Sequence, residues 1–241
     1  MTETPALPVP MRDAAGWRNF YGRVHGKTLR PAQRRALEVD LPRLRVPGVT
    51  RGENPGRTPL DLATLPGPAE GPIWLEVGFG GGEHLAAMAA ANPGVRLIGA
   101  EPFVNGIAMA LGKLAAAGVA NVAIHPGDAR DLMEVLPQGC LSRVFLNYPD
   151  PWPKTRHWRR RFVTPDHLVP LARTCAPGAE FRIASDIPDY LRQARAEVPP
   201  AGFDLVADTP APWADWPGTR YEAKALREGR APHYLTFRRL G

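Results

Sequence analysis

From residue 73 onward this chain predicts an α/β fold, a parallel sheet with helices on both faces. Three observations carry that prediction. Short apolar runs alternate with longer segments of helical character, and such alternation implies parallel strands joined by crossover helices. A glycine-rich turn, Gly78-Phe-Gly-Gly-Gly82, joins the first run to the first helix. Acids stand at successive strand ends, with Glu76 before the turn, Glu101 after the second run and Asp128 after the third. Open α/β sheets place their ligand chemistry at that edge.

The elements follow in order. Residues 31–39 predict one short helix, with proline at a helix start where its missing N–H costs nothing. Ile73-Trp-Leu-Glu-Val77 is an apolar run of strand length, ended by the glycines after it. A helix is expected over 83–91, a strand over 95–100, a helix over 104–117 and a third strand over 119–125. A helix over 129–136 leads to a fourth strand over 143–147, which Pro149, Pro151 and Pro153 forbid to continue. A helix at 165–174, a fifth strand at 180–184 and a helix at 188–196 repeat the alternation. Two late strands, 203–207 and 234–237, flank a Pro/Trp-rich loop and a short helix near 221–228.

The 241 residues suffice for one substantial domain, expected over 72–241, plus an appendage. Residues 1–11 are polar and proline-rich and predict a disordered tail. Residues 12–71 predict a basic N-terminal arm whose second part, 46–71, is a Gly/Pro-rich connector. The arm either packs on the core or contacts RNA, and the two roles are compatible. The net charge of +6 favours an anionic partner. Cys140 and Cys175 form no C-x-x-C and fit a reducing compartment. No apolar run approaches the ~20 residues of a membrane span, and the start, Met-Thr-Glu-Thr-Pro, lacks the plan of a signal peptide. A cytoplasmic protein is the expectation.

In the turn, Gly78 and Gly80 permit tight geometry and bring backbone close to a ligand. An acid at Glu101 is placed to accept two ribose hydroxyls, and Asp128 to accept from an adenine amino group. Each acid alone is equally explained as a helix cap. Glu76 beside the turn would repel a pyrophosphate but suits the cationic amino-acid end of S-adenosyl-L-methionine, which favours that cofactor over NAD. The stretch Asn147-Tyr-Pro-Asp-Pro-Trp-Pro-Lys-Thr-Arg-His-Trp-Arg-Arg-Arg161 then sets Asp150 on a stiff loop at the fourth strand's end. Aromatics and prolines interleave with its cations, which points to a polyanionic substrate. Arg156, Arg159, Arg160 and Arg161 are expected on phosphates.

These segments together resemble the bacterial tRNA (guanine-N7-)-methyltransferase family, in the family's order. The matching residues are 23–29, 75–82, Glu101, 127–129, 147–161, 184–186 and 219–222, and the Pro-Asp-Pro-Trp-Pro-Lys-x-Arg-His core is the most specific of them. The resemblance implies a Rossmann-like S-adenosylmethionine-dependent methyltransferase fold, its seven-stranded, mostly parallel sheet ending in an antiparallel strand. It implies methyl transfer to N7 of the variable-loop guanosine of tRNA, position 46 in standard numbering. By matching position, Glu76, Glu101, Asp128 and Asp150 contact the methyl donor or line its pocket. Lys154, Asp186, Thr219, Arg220, Tyr221 and Glu222 face the substrate nucleotide. Tyr148 stands where the family commonly has Phe, Arg220-Tyr221 where Lys-Phe is frequent, and Trp158 is bulkier than the pattern.

Guanine N7 carries a lone pair and no proton, so the transfer asks for alignment and charge stabilisation rather than a strong base. Asp150 is the first candidate to stabilise the product cation and Asp186 the second. Lys154 reads as a phosphate or base-edge contact, or as a surface cation in an ion pair. Trp152 and Tyr148 suit either stacking on the base or packing beneath the loop, and packing is favoured for Trp152. Tyr221 is open between the two. His157 lacks partners at ligand spacing, so no metal site is expected, and no obligatory protein partner. Two rival functions remain. One is an exocyclic-amine methyltransferase, whose Asn/Asp-Pro-Pro-aromatic loop the 147–152 segment loosely echoes. The other is a non-catalytic RNA-binding subunit of the same fold.

Overall fold

The computed structural model describes residues 22–241; the expected tail over 1–11 and the start of the arm lie outside them. Seven strands form one sheet: β1 (Ile73–Val77), β2 (Arg96–Ala100), β3 (Val122–His125), β4 (Leu141–Asn147), β5 (Cys175–Ser185), β6 (Phe203–Thr209) and β7 (His233–Arg239). Their order is β3-β2-β1-β4-β5-β7-β6, with β7 antiparallel to both neighbours and the other pairings parallel. Among the described residues eight α-helices accompany them: α1 (Pro31–Val39), α2 (Leu41–Leu44), α3 (Glu83–Ala91), α4 (Val104–Ala117), α5 (Ala129–Val135), α6 (Pro165–Thr174), α7 (Pro188–Glu197) and α8 (Arg220–Arg227).

The two-residue strand period divides the core into two layers. Ile73, Leu75 and Val77 of β1 join Val144, Leu146, Phe181 and Ile183 beneath α5, α6 and α7. Trp74, Leu97, Ile124 and Phe145 turn to the other face, against α1, α2, α3 and α4. The central strands β1 and β2 are buried at every position, as parallel strands covered on both faces must be.

Val46, Val49 and Leu65 lie in the same core layer as β1 and β4, so the connector packs on the domain. Arg45 makes a parallel bridge to Ile124, and the Val46 N–H donates to the Ile124 carbonyl, which covers the open edge of β3. At the chain's described start, Asn105 on the first turn of α4 ties down the irregular segment before α1. Its Oδ1 accepts from Gly26 N at 2.7 Å and its Nδ2 donates to the Lys27 carbonyl.

The sheet's ends differ from expectation by one or two residues at several strands, and the starts of β3, β4 and β5 differ for identifiable reasons. β3 begins at Val122 rather than 119, because Gly118 (φ 63°) closes α4 in the left-handed region and Val119 N still donates to the Leu114 carbonyl. Asn121 then spends its Nδ2 on the Val95 and Asn92 carbonyls. β4 and β5 start earlier than 143 and 180, through a Leu141–Cys175 pairing that a register shift separates from the rest of the ladder.

His125 ends β3, 5% exposed, with Nε2 3.1 Å from the Asp128 carbonyl. Burial pushes its imidazole down to about 4, and the Arg45 and Arg57 charges add to that; the Asp128 carboxylate opposes it. A lowered folded value means the ring contributes most above the unfolded value of 6.5 and loses that contribution as pH falls through 4. Measured by urea unfolding against His125→Gln, the wild-type advantage is expected to be flat above pH 6.5. Below that it should shrink by up to about 1.4 kcal/mol per pH unit. A difference independent of pH would contradict a neutral buried ring.

Candidate active site

A cavity of about 590 Å³ opens at the carboxyl edge of the parallel strands, and Gly78, Gly80, Glu101, Asp128, Asp150 and Tyr221 are among its lining residues. The glycine turn forms one wall. Gly78, Gly80 and Gly82 all take left-handed φ, at 71°, 55° and 75°. At Gly82 a Cβ would also meet the Ala110 Cβ at 2.5 Å, so α3 and α4 approach only because that position is bare. At Gly78 a Cβ would meet nothing within 4 Å, which leaves the turn facing open space.

Beneath the turn lie two carboxylates. Glu101 is 7% exposed; its Oε2 accepts from Gly80 N at 2.7 Å and its Oε1 from Phe103 N at 2.9 Å. Burial drives its carboxyl up to about 7 despite those two bonds, and the nearby Asp150 and Glu76 charges push the same way. Glu76 is 3% exposed and reaches no cavity surface. Its Oε2 stands 2.9 Å from His84 Nδ1, and its Oε1 accepts a long hydrogen bond from Asn147 Nδ2. His84 packs edge-on to Phe145 and tilted against Trp216.

Asp128 caps α5 by accepting from Arg130 N, and the Arg130 guanidinium pairs with its other oxygen. Burial alone would raise this carboxyl, but the Arg130 hydrogen bonds and charge outweigh it and hold it below the usual range. Asp150 differs from all of these. It stands exposed at the cavity rim with no hydrogen bond or ion pair to any described residue, and desolvation by the surrounding walls raises it above the ordinary aspartate value.

The loop bearing Asp150 is held in an unusual shape. Tyr148 (φ 48°) and Trp152 (φ 40°) are both left-handed without being glycine, a conformation that costs on the order of 1–3 kcal/mol each. The Tyr148 N–H donates to the Ala184 carbonyl at 2.8 Å, and the buried Arg161 fastens the far side. Its guanidinium donates to the carbonyls of Pro151 (2.8 Å) and Trp152 (3.3 Å), to Gln193 Oε1 and to Asp189. This corrects the expectation of Arg161 on phosphate: 1% exposed, it anchors the loop from inside. The intervening Thr155–Arg160 segment is a 3-10 helix, opened by the exposed Lys154, and it leaves Arg156 and Arg159 exposed. Arg160 lies over the Trp152 ring at 4.8 Å, so Trp152 is both cavity wall and packing surface.

The segment expected to face the substrate arrives from β6–β7. Thr219 caps α8 by accepting from Glu222 N, and Glu222 accepts from Trp216 Nε1 and the Tyr234 hydroxyl. Arg220 and Tyr221 come down on the glycine turn: a Cβ at Gly80 would sit 3.5 Å from the Tyr221 ring, and one at Gly81 3.3 Å from the Arg220 guanidinium. Of the residues expected on the nucleotide, Tyr221 lines the cavity. Lys154, Asp186, Thr219, Arg220 and Glu222 lie outside its lining, and Asp186 is paired with Arg230. His84, Arg130 and Asn147, which had no expected role, are all bound to the acids of this floor. A candidate signal existed only for Arg130, two residues after a capping acid.

Comparisons with known proteins bear on this geometry. Residues 70–235 match a family model described as "Putative methyltransferase". A tRNA (guanine-N(7)-)-methyltransferase of Cereibacter sphaeroides is 65% identical over 229 residues, covering 95% of this chain and 94% of the relative. Proteins of the same name from Paracoccus denitrificans and Rhodospirillum rubrum are 65% and 47% identical, over 92% and 95% of this chain and 95% and 89% of their own lengths. The crystal structure of the 16S rRNA methyltransferase KamB superposes with a TM-score of 0.52 at 19% identity, covering 70% of this chain and 88% of that one. That similarity is one of fold. Among the described residues, no helix is long and apolar enough to cross a membrane.

Two outcomes are expected of this floor and loop. A raised Glu101 contributes most below the unfolded value of 4.5, and that contribution is lost as pH rises through about 7. Glu101→Gln should therefore gain on wild type as pH rises over that window, by up to about 3 kcal/mol in chemical unfolding. A gain that grows toward acid instead would refute the assignment. Arg161→Met, which strips two loop carbonyls of their donor, should lower stability by about 3 kcal/mol in thermal unfolding. A loss below about 0.5 kcal/mol, the level of a surface substitution, would show the anchor to be dispensable.

Proposed function

The chain belongs to the bacterial tRNA (guanine-N7-)-methyltransferase family, and on that premise we propose that its cavity aligns S-adenosyl-L-methionine with N7 of the variable-loop guanosine, position 46, of tRNA. The observation that carries this is the unpaired carboxylate of Asp150 at the rim, on a strained and anchored loop across the cavity from the glycine turn.

The residues present fit that donor. The left-handed turn faces open space at Gly78, and buried acceptors lie behind it. Glu101 has each oxygen engaged by one backbone N–H, which leaves lone pairs for two ribose hydroxyls. Asp128, with Arg130 against it, is placed for the adenine edge. When bound, the donor supplies an electrophilic sulfonium methyl.

Because N7 has no proton to lose, the chain's work is orientation and charge. Positive charge develops on the purine as the methyl arrives, and Asp150 is the carboxylate that stabilises it. Tyr221, over the glycine turn, and Trp152, on the opposite wall, offer rings to the base. Arg156 and Arg159, exposed on the 3-10 helix, together with the cations of α1, suit the tRNA backbone. Lys154, exposed outside the lining, suits the flanking nucleotides, whereas Asp186 is paired with Arg230.

The test is incubation with labelled S-adenosylmethionine and unmodified tRNA, followed by borohydride and aniline, which cleave RNA at N7-methylguanosine. One cut in the variable loop is expected. Asp150→Asn should lower kcat by roughly 100-fold or more with tRNA affinity changed by less than about threefold. Methyl incorporation without that cut would move the target to another atom and favour an exocyclic-amine reaction.

A further inference from the structure

The irregular segment before α1 reaches the cavity, where Gly22 and Arg23 are among the lining residues. It is fastened there at successive points on the start of α4. The Val24 carbonyl accepts from Val104 N at 2.9 Å, and the Val24 side chain packs against the core layer beneath α4. Gly26 comes so close that a Cβ on it would stand 2.9 Å from both Asn105 Oδ1 and the Phe103 ring. Asn105 closes the contact by accepting from Gly26 N and donating to the Lys27 carbonyl, each at 2.7 Å. Both ends of its amide are thus committed to the backbone of the arm. The same stretch of chain begins the cavity wall, since Phe103 also lines the cavity and gives its N–H to Glu101.

With Val24 turned inward, Arg23 is exposed at the cavity. Glu101 and Asp150 line the same cavity, yet Arg23 forms no hydrogen bond or ion pair with any described residue. Arg159 and Arg160 reach the cavity from the 3-10 helix, so its wall carries cations from two distant parts of the chain. A nucleotide whose base enters such a cavity leaves its own two phosphates at the mouth. A guanidinium fork matches phosphate oxygens in geometry as well as charge. We propose that Arg23 holds one of the two phosphates flanking the target guanosine, and that Asn105 is the positioning residue that keeps it there. Asn105 acts only through the backbone of Gly26 and Lys27, and that clamp spares the RNA the entropic cost of ordering the arm. The inference rests on the proposed tRNA substrate. It gives residues 22–27 a place at the target nucleotide, beyond the general attraction of the outer cations.

The test is binding of unmodified tRNA by the full chain over a salt series, beside calorimetric binding of S-adenosylhomocysteine. Arg23→Ala should weaken tRNA binding roughly 10-fold and lower the slope of log affinity against log salt by about one. Asn105→Ala removes no charge and should still weaken tRNA binding roughly 3- to 10-fold, with that loss vanishing when Arg23 is already alanine. Gly26→Ala, which displaces the arm without altering α4, carries the same expectation as Asn105→Ala. S-adenosylhomocysteine affinity should change less than about threefold in all of them, a shift of well under 1 kcal/mol. Unchanged tRNA affinity and slope in Arg23→Ala would overturn the phosphate contact. Losses from Asn105→Ala that simply add to those from Arg23→Ala would overturn the positioning role. A larger loss of S-adenosylhomocysteine in Arg23→Ala would assign the arginine to the methyl donor instead. Wild type showing no salt-dependent tRNA binding would overturn the tRNA reading itself, and this contact with it.

Discussion

Burying two carboxylates under a glycine turn is the constraint around which the rest of the site is arranged. Glu76 and Glu101 are 3% and 7% exposed, and a carboxylate taken that far from water must find donors. Glu101 takes backbone N–H groups from Gly80 and Phe103, which requires the turn to run through the left-handed region and the chain after β2 to fold back at 103. Glu76 takes His84 and Asn147, which requires α3 to place His84 eight residues later in the chain and β4 to end alongside β1. The glycines are thus held by the acids as much as by any ligand. Burial pushes Glu101 up to about 7 against the opposing pull of its two backbone bonds. Ribose hydroxyls entering the cavity would relieve that residue, so binding and stability draw on the same unsatisfied charge.

The acceptor side solves the opposite problem, a loop with too few internal hydrogen bonds. Pro149, Pro151 and Pro153 remove three N–H donors, and two residues there sit in costly backbone conformations. One buried guanidinium supplies what is missing. Arg161 reaches two loop carbonyls, a glutamine and an aspartate, and its face is covered by Trp158 and Tyr190. Lysine could not replace it, because a point charge lacks the planar fork that spans these acceptors. Holding the loop from below leaves Asp150 with no hydrogen-bond or ion-pair partner among the described residues. That is a strained arrangement worth keeping only where an external charge completes it.

Much of this was legible in the chain itself. Strand–helix alternation marked the sheet from Ile73 to Asn147 closely, because fully buried parallel strands read as uninterrupted apolar runs. The acids at strand ends marked the cavity, since a parallel sheet delivers every such end to one edge. What escaped was anything set by partners distant in sequence. Arg161 looks like its neighbours Arg159 and Arg160, and only the packing of α7 makes it internal. Asn147 looked like the end of a strand, because nothing local reveals that Glu76, 71 residues earlier, occupies its nitrogen. The early start of β5 at Cys175 passes through Pro177-Gly178, a pair that by itself reads as a break.

The two halves, taken together, sort charge by depth. Glu76, Glu101 and Asp128 lie in the floor, Asp150 at the rim with Arg159 and Arg160 also on the cavity wall, and Arg156 outside the lining. On the proposed reaction this order has a consequence. The donor enters as a cation and leaves uncharged at sulfur, while the purine gains the charge. An acidic floor with no counterpart at the rim would hold the reactant better than the transition state and slow the transfer. Placing an unpaired carboxylate on the acceptor side lets the stabilisation follow the charge as it moves. Arg161 is turned inward and spent on Asp189 and backbone carbonyls, while Arg156, exposed outside the lining, suits phosphate. The charge of that buried arginine is therefore committed to the loop's shape and to Asp189.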